Sequence, residues 1–145
     1  MNKFEQLGLQ AEIVNAVNDM GFEAPSEVQA QAIPILLDQE TDLVALAQTG
    51  TGKTAAFGFP LIQKINVDSK QTQGLILSPT RELCLQIANE LKNYSKYLKQ
   101  LNVVAIYGGA SISEQQKQIK ERKQERQLEV DFELVSPMLT SEAET

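Results

Sequence analysis

The chain has 145 residues, 42% of them hydrophobic and 22% charged, which fits one globular domain of ordinary size. A formal net charge of −6 argues against a protein that grips nucleic acid by overall charge, though not against a local site. One cysteine and no histidine rule out an intrachain disulfide, argue against a structural zinc site, and make a reducing cytoplasm the expected setting.

No apolar run is long enough to span a bilayer, and the start, "MNKFEQLGLQ", lacks the apolar core of a secretory signal. No membrane partner is expected. "LQAEIVNAVNDMG" has helical periodicity, with Ile13, Val17 and Met20 on one face and Gly21 where a helix stops. "PSEVQAQAIPILLD" predicts a second helix, capped by Ser26 with Gln29 three residues on. Pro34 is expected to kink or end it. "DLVALA" (Asp42–Ala47) has the pattern of a strand covered on both faces, and "KTAAFGFPLIQKI" that of a helix following a glycine-rich loop.

"GLILSP" (Gly74–Pro79) predicts a second buried strand, and "TRELCLQIANELKNYSKYL" a strong helix with Leu83, Ile87, Leu91 and Tyr94 on one face. "NVVAIYGG" (Asn102–Gly109) predicts a third strand ending at a glycine pair. Strand, helix, strand, helix and strand in that order define an α/β fold, a parallel sheet with helices on both faces. Ser111 to Gln127 continues in a polar helical pattern. "LEVDFELV" (Leu128–Val135) alternates apolar and charged residues, as a half-exposed strand does. "TSEAET" is a fraying tail.

The loop "AQTGTGKT" runs from Ala47 through Gln48, Thr49, Gly50, Thr51, Gly52 and Lys53 to Thr54. It follows a predicted strand and opens a predicted helix, the context a phosphate-binding loop requires. Glycines let backbone N–H groups turn inward around phosphate oxygens, and the helix N-terminus adds partial positive charge. In that chemistry Lys53 reaches the β- and γ-phosphates and Thr54 ligates Mg²⁺. Ala47 stands where the strict G-x-x-x-x-G-K-[ST] pattern has glycine. The bland alternative is a glycine-rich turn with an exposed lysine.

Here the sequence resembles the DEAD-box RNA helicases, whose first ATP motif accepts alanine at that position. Three further segments match in order. "GFEAPSEVQ" (Gly21–Gln29) resembles the Q motif, with Phe4 seventeen residues before Gly21 at the place of the family's isolated aromatic. "SPTRELCLQ" contains Pro79, Thr80, Arg81, Glu82 and Leu83, matching motif Ia, and Gly108 and Gly109 match the glycine doublet.

The resemblance implies ATP and Mg²⁺ as cofactors and RNA, held by its backbone, as partner. It implies that Gln29 bonds the adenine edge, which an amide can do as donor and acceptor. A capping box with Ser26 competes for the same side chain. Phe4 would stack on the base, or else anchor the N-terminal helix. Pro79, Thr80, Arg81, Gly108 and Gly109 would touch the sugar–phosphate backbone, which positions a strand without reading it. Their alternatives are a helix N-cap at Thr80 and a plain turn at the glycines. Cys84 is expected to be a small buried residue. "KQIKERKQER" (Lys117–Arg126), with five basic and two acidic residues, is expected to be a solvated helix face rather than an RNA-binding patch.

The resemblance divides the chain into residues 1–120, part of a helicase ATP-binding domain of RecA-like fold, and residues 121–145, a divergent tail. That tail contains no Thr-Pro-Gly-Arg, Asp-Glu-Ala-Asp or Ser-Ala-Thr. Asp131 and Glu133 are separated by Phe132 and are not expected to ligate Mg²⁺. Hydrolysis needs an acidic Mg²⁺ ligand, a group that orients water, and cations on the developing charge. In the family these come from segments not matched here, so the chain is expected to bind nucleotide without turnover. "DLVALA" is apolar for a sheet edge. Unless "LEVDFELV" or another chain pairs with it, self-association is expected. A docking module and an unrelated P-loop ATPase are the alternative functions.

Overall fold

The computed structural model describes residues 2–66, 69, 71–121 and 126–131, with side chains described as far as Ile119. After a 3₁₀ turn (Glu5–Leu7) come α1 (Ala11–Asp19), α2 (Glu27–Asp38), α3 (Lys53–Lys64), β1 (Thr72–Leu77), α4 (Arg81–Tyr94), β2 (Leu101–Ile106), α5 (Ile112–Glu121) and β3 (Arg126–Asp131). They fall into two compact units, Met1–Ile65 with Asn93–Leu98, and Asn66–Lys92 with Lys99–Thr145.

The first unit is helical. α1 buries Ile13, Val14, Ala16 and Val17, whereas Met20, expected on that face, is 38% exposed beyond the helix end. Gly21 adopts φ 78°, the left-handed stop expected of it. α2 starts from a complete capping box. The Gln29 N–H donates to the Ser26 hydroxyl at 3.4 Å, and the Ser26 N–H donates to Gln29 Oε1 at 3.0 Å. Pro34 does not end this helix. α2 runs on to Asp38, and the Gln39 N–H donates to the Ile35 carbonyl at 3.0 Å. One missing N–H is tolerated because α2 packs along α3 and buries Ala32 and Ile33. Around Phe59 of α3, aromatic rings meet edge to face. Phe4 lies 6.3 Å away at 84° and Tyr94 4.7 Å away at 70°, the geometry that ring quadrupoles favour.

Asp42–Ala47, expected to be a buried strand, has no regular secondary structure and no strand partner among the described residues, and its Val44 and Leu46 are 87% and 95% exposed. An apolar run specifies burial, but a strand also needs a hydrogen-bonding neighbour, and the described sheet does not include this segment.

The second unit holds a three-stranded parallel sheet in the order β1-β3-β2. β3 lies within "LEVDFELV" and just before it, and takes the central place in the sheet; Phe132–Val135 fall outside the described residues. β1 is not buried on both faces. Gly74 and Ile76 are buried, while Leu75 and Leu77 are 53% and 43% exposed. Leu77 and Ile106 both pair with Asp131, so β1 and β2 end level with each other. The segments Ser78–Arg81 and Tyr107–Gly109 therefore leave the sheet from the same, carboxyl end, where parallel sheets meet ligands. α5 packs on β2. Cys84 is fully buried, with its Sγ 3.6 Å from the Ile106 carbonyl, the small buried residue expected. Lys117 is exposed on α5; the side chains from Lys120 to Arg126 lie outside the described residues.

Candidate functional site

In the first unit, residues Gln48–Gly52 form the loop that opens α3. Gly50 and Gly52 carry φ angles of 77° and 82°, a region L side chains rarely adopt. The Thr51 hydroxyl donates to the Gln48 carbonyl at 2.7 Å, which closes the turn. The first helical hydrogen bond, Ala56 N–H to the Gly52 carbonyl at 3.1 Å, leaves the N–H groups of Lys53, Thr54 and Ala55 at the helix start, which is the donor set an anion needs. Lys53 Nζ donates to the Ala47 carbonyl at 2.7 Å. That contact folds the lysine across the mouth of the loop and still leaves two of its three protons.

Gln29 ties this loop to α2. It is 2% exposed, and its Nε2 donates to the Gly52 carbonyl at 3.1 Å while Oε1 accepts from Ser26. The capping-box reading of Gln29 is therefore realised, together with a loop contact the sequence did not reveal. One amide proton and one Oε1 lone pair stay uncommitted, which is the pairing an adenine edge requires. Phe4 is fully buried against Phe59. The structure uses it as an anchor, and a base could stack on it only after it left the core. Gln63 completes the anchoring, accepting from the Gln10 N–H and donating to the Gly8 carbonyl, both at 2.8 Å. Beside the loop, an open cleft of about 630 Å³ lies between α2 and Leu43–Gln48. Its lining includes Ala47, Gln48 and Thr51 but neither Lys53 nor Thr54, so it is distinct from the start of α3.

The second unit holds all five residues expected to meet RNA. Pro79, Thr80 and Arg81 follow β1, and Gly108 and Gly109 follow β2; all are exposed. Thr80 is the N-cap of α4, its hydroxyl accepting from the Leu83 N–H at 3.1 Å, and it keeps its own proton to donate. The Arg81 guanidinium lies 4.6 Å from the centroid of the Tyr107 ring. Gly109 has φ 84°, and a Cβ there would sit 3.8 Å from an Arg81 terminal nitrogen. Tyr107 and Gln115 were not expected at this site. Gln115 Oε1 accepts from the Tyr107 N–H at 3.2 Å and its Nε2 donates to the Tyr107 carbonyl at 3.0 Å. A tyrosine ahead of a glycine pair was a visible signal; Gln115, one of many polar residues on α5, gave none.

A glycine loop that opens a helix, with a lysine folded across it, in an α/β chain with a parallel sheet, is an arrangement able to receive an anion. Comparison with known proteins sharpens this. The family model for the DEAD/DEAH box helicase matches residues 26–132, continuing past Lys120 through β3. The ATP-dependent RNA helicase CshA of Listeria monocytogenes is 48% identical over 124 residues, covering 86% of this chain and 24% of that protein. The RNA helicase Prp28 from Chaetomium thermophilum bound to ADP superposes with a TM-score of 0.74 at 36% identity, covering 90% of this chain and 32% of that one. Dbp5 of S. cerevisiae bound to RNA and ADP BeF3 gives 0.73 at 26% identity, covering 99% and 35%. The chain belongs to the DEAD/DEAH box helicase family, and it spans about a quarter of the length of its relative CshA.

Proposed function

We propose that this chain is the ATP- and RNA-binding part of a DEAD-box RNA helicase. The observation that carries the reading is the loop Gly50–Thr54 opening α3, with Lys53 poised over it. The residues fit a triphosphate with Mg²⁺: free helical N–H groups, a lysine that exchanges the Ala47 carbonyl for phosphate oxygen, and the Thr54 hydroxyl as a metal ligand. Ala47, Gln48, Thr49 and Thr51 shape the loop, and Gln29 presents its remaining donor and acceptor to adenine. ATP, when bound, supplies the phosphoryl group whose transfer to water drives the family's RNA strand separation. That activity belongs to a whole helicase. This chain's sequence contains no Asp-Glu-Ala-Asp, so it binds nucleotide without turning it over.

RNA lies along the carboxyl end of the sheet. The exposed Thr80 hydroxyl, the α4 N-terminus and the Arg81 guanidinium meet phosphate, while Pro79, Gly108 and Gly109 allow close approach of the strand. The exposed Val44 and Leu46 favour self-association as a second property. A sharp cooperative melt of a strictly monomeric sample would count against it.

Melting shifts with ADP, ATP–Mg²⁺ and GTP test the nucleotide reading. Stabilisation by the adenine nucleotides above that by GTP supports it. Equal shifts with ATP and GTP would remove the adenine role of Gln29, and no shift with any nucleotide would remove the loop's role altogether.

A further inference from the structure

We infer that Tyr107 is a positioning residue for RNA, a neutral shelf that aims Arg81 while leaving its charge and all its donors for the ligand. The inference rests on the RNA-binding reading of Arg81 given above. Arg81 is exposed, and among the described residues no acidic side chain pairs with it. A free arginine side chain has several rotatable bonds and loses that freedom on binding. A carboxylate could order it, but only by neutralising the charge and occupying the guanidinium edge. The Tyr107 ring orders it differently, through its face, at 4.6 Å from centroid to guanidinium carbon. The attraction of a cation for the ring quadrupole leaves all five N–H donors pointing outward in the plane of the group.

Three further observations say this shelf is built. Gln115 grips both the N–H and the carbonyl of Tyr107, at 3.2 and 3.0 Å, so the residue carrying the ring is fixed to α5. The Cys84 thiol meets the Ile106 carbonyl at 3.6 Å, holding α4 to the chain just before Tyr107. Gly109, at φ 84°, lies beside the guanidinium, and a Cβ there would come within 3.8 Å of it. The strand end thus carries a ring under the arginine and no side chain beside it. Tyr107 needs no contact with RNA for this role.

The test is a double-mutant cycle on binding of a fluorescein-labelled single-stranded oligouridylate to the full chain, with Arg81→Ala, Tyr107→Leu, Tyr107→Phe and the Arg81→Ala/Tyr107→Leu pair. Thermal melts confirm that each variant folds. The expected result is that Tyr107→Leu weakens binding about two- to fivefold and Tyr107→Phe stays near the native chain, since phenylalanine keeps the ring face. In the Arg81→Ala background, Tyr107→Leu then has no further effect. A structural role for the ring would instead lower affinity equally in both backgrounds, and that additivity would overturn the inference. So would a Tyr107→Phe variant as weak as Tyr107→Leu. If Arg81→Ala leaves affinity unchanged, or the native chain binds no oligouridylate, the parent reading of Arg81 fails and the inference falls with it.

Discussion

The Gln29 amide donates from Nε2 to the carbonyl of Gly52 at 3.1 Å, joining the cap of α2 to the loop that opens α3. The same side chain accepts from Ser26 at 3.0 Å, so one residue, 2% exposed, couples a helix start to the glycine loop. Gln29→Ala leaves a loop carbonyl and a cap N–H unpaired, and unfolding is expected to become easier by about 1–3 kcal/mol. Gln29→Glu keeps the acceptor, but at neutral pH it has no proton for Gly52 and sets a carboxylate against a carbonyl. It should be at least as damaging. Urea melts check both, and an ADP titration should show a weakened loop in each.

Gly50 and Gly52 share a left-handed backbone but not a neighbourhood. A Cβ on Gly50 meets nothing within 4 Å, whereas one on Gly52 would fall 2.2 Å from Gln29 Nε2. Gly50→Ala therefore carries only the backbone cost, on the order of 1–2 kcal/mol. Gly52→Ala carries that cost and also displaces Gln29. In a Gln29→Ala background the two substitutions should become alike, which equilibrium melts of the four variants would reveal.

Phe4 is fully buried, with its ring edge to face with Phe59. Phe4→Ala should destabilise the chain by about 3–5 kcal/mol, the usual cost of emptying an aromatic site. Phe4→Leu fills most of the volume and should melt closer to the native chain while binding ADP with unchanged affinity. A large loss of ADP affinity in a stable Phe4→Leu chain would point instead to base stacking.

On the surface of the first unit, Asp19 bonds Lys96 and Tyr97. The hydrogen bond from Lys96, then that from Tyr97, lowers the Asp19 carboxyl below its ordinary value of 3.8, while the bond to Asp19 raises Lys96 above 10.5 and Tyr97 above 10.0. A lowered carboxyl stabilises the fold above its unfolded value and loses that contribution as pH falls through the lowered value. The raised Lys96 and Tyr97 stabilise below their unfolded values and lose that contribution as pH rises through the raised ones. Asp19→Asn should therefore lower stability slightly at neutral pH, where these contributions are fully present, and the difference from the native chain should vanish at the acid and alkaline extremes. The groups are solvated, so added salt should shrink the difference further. Melting temperature against pH, in low and high salt, is the measurement.

Local signals in the sequence carried most of the helices and the outline of the site. Ser26 with Gln29 at the capping spacing and Gly21 as a stop depend on neighbours within a turn and are found where expected, and the alternative reading of Thr80 as an N-cap, equally local, is realised too. What failed to carry was partnership at a distance. "DLVALA" has the composition of a buried strand but finds no neighbour among the described residues, and the start of "LEVDFELV", with its charged alternation, lies in the central strand. Pro34 sits within α2 because packing on α3 outweighs one lost hydrogen bond. The glutamines were least legible. Gln63, Gln73 and Gln115 each bond both a backbone N–H and a backbone carbonyl elsewhere in the chain. As long polar side chains on helices and strands they look like ordinary surface, because their partners are set by the fold rather than by spacing.

The central claim is that the loop from Gly50 to Thr54 holds a nucleotide, with Lys53 on its phosphates. Titration of the native chain and of Lys53→Ala with ADP and with ATP–Mg²⁺, read by melting shift with phosphate release followed in parallel, tests it most directly. The account predicts a nucleotide-dependent rise in melting temperature for the native chain, a roughly ten- to hundredfold weaker affinity for Lys53→Ala, and no phosphate release from either. Equal shifts in the two chains, or no shift in the native one, would contradict it.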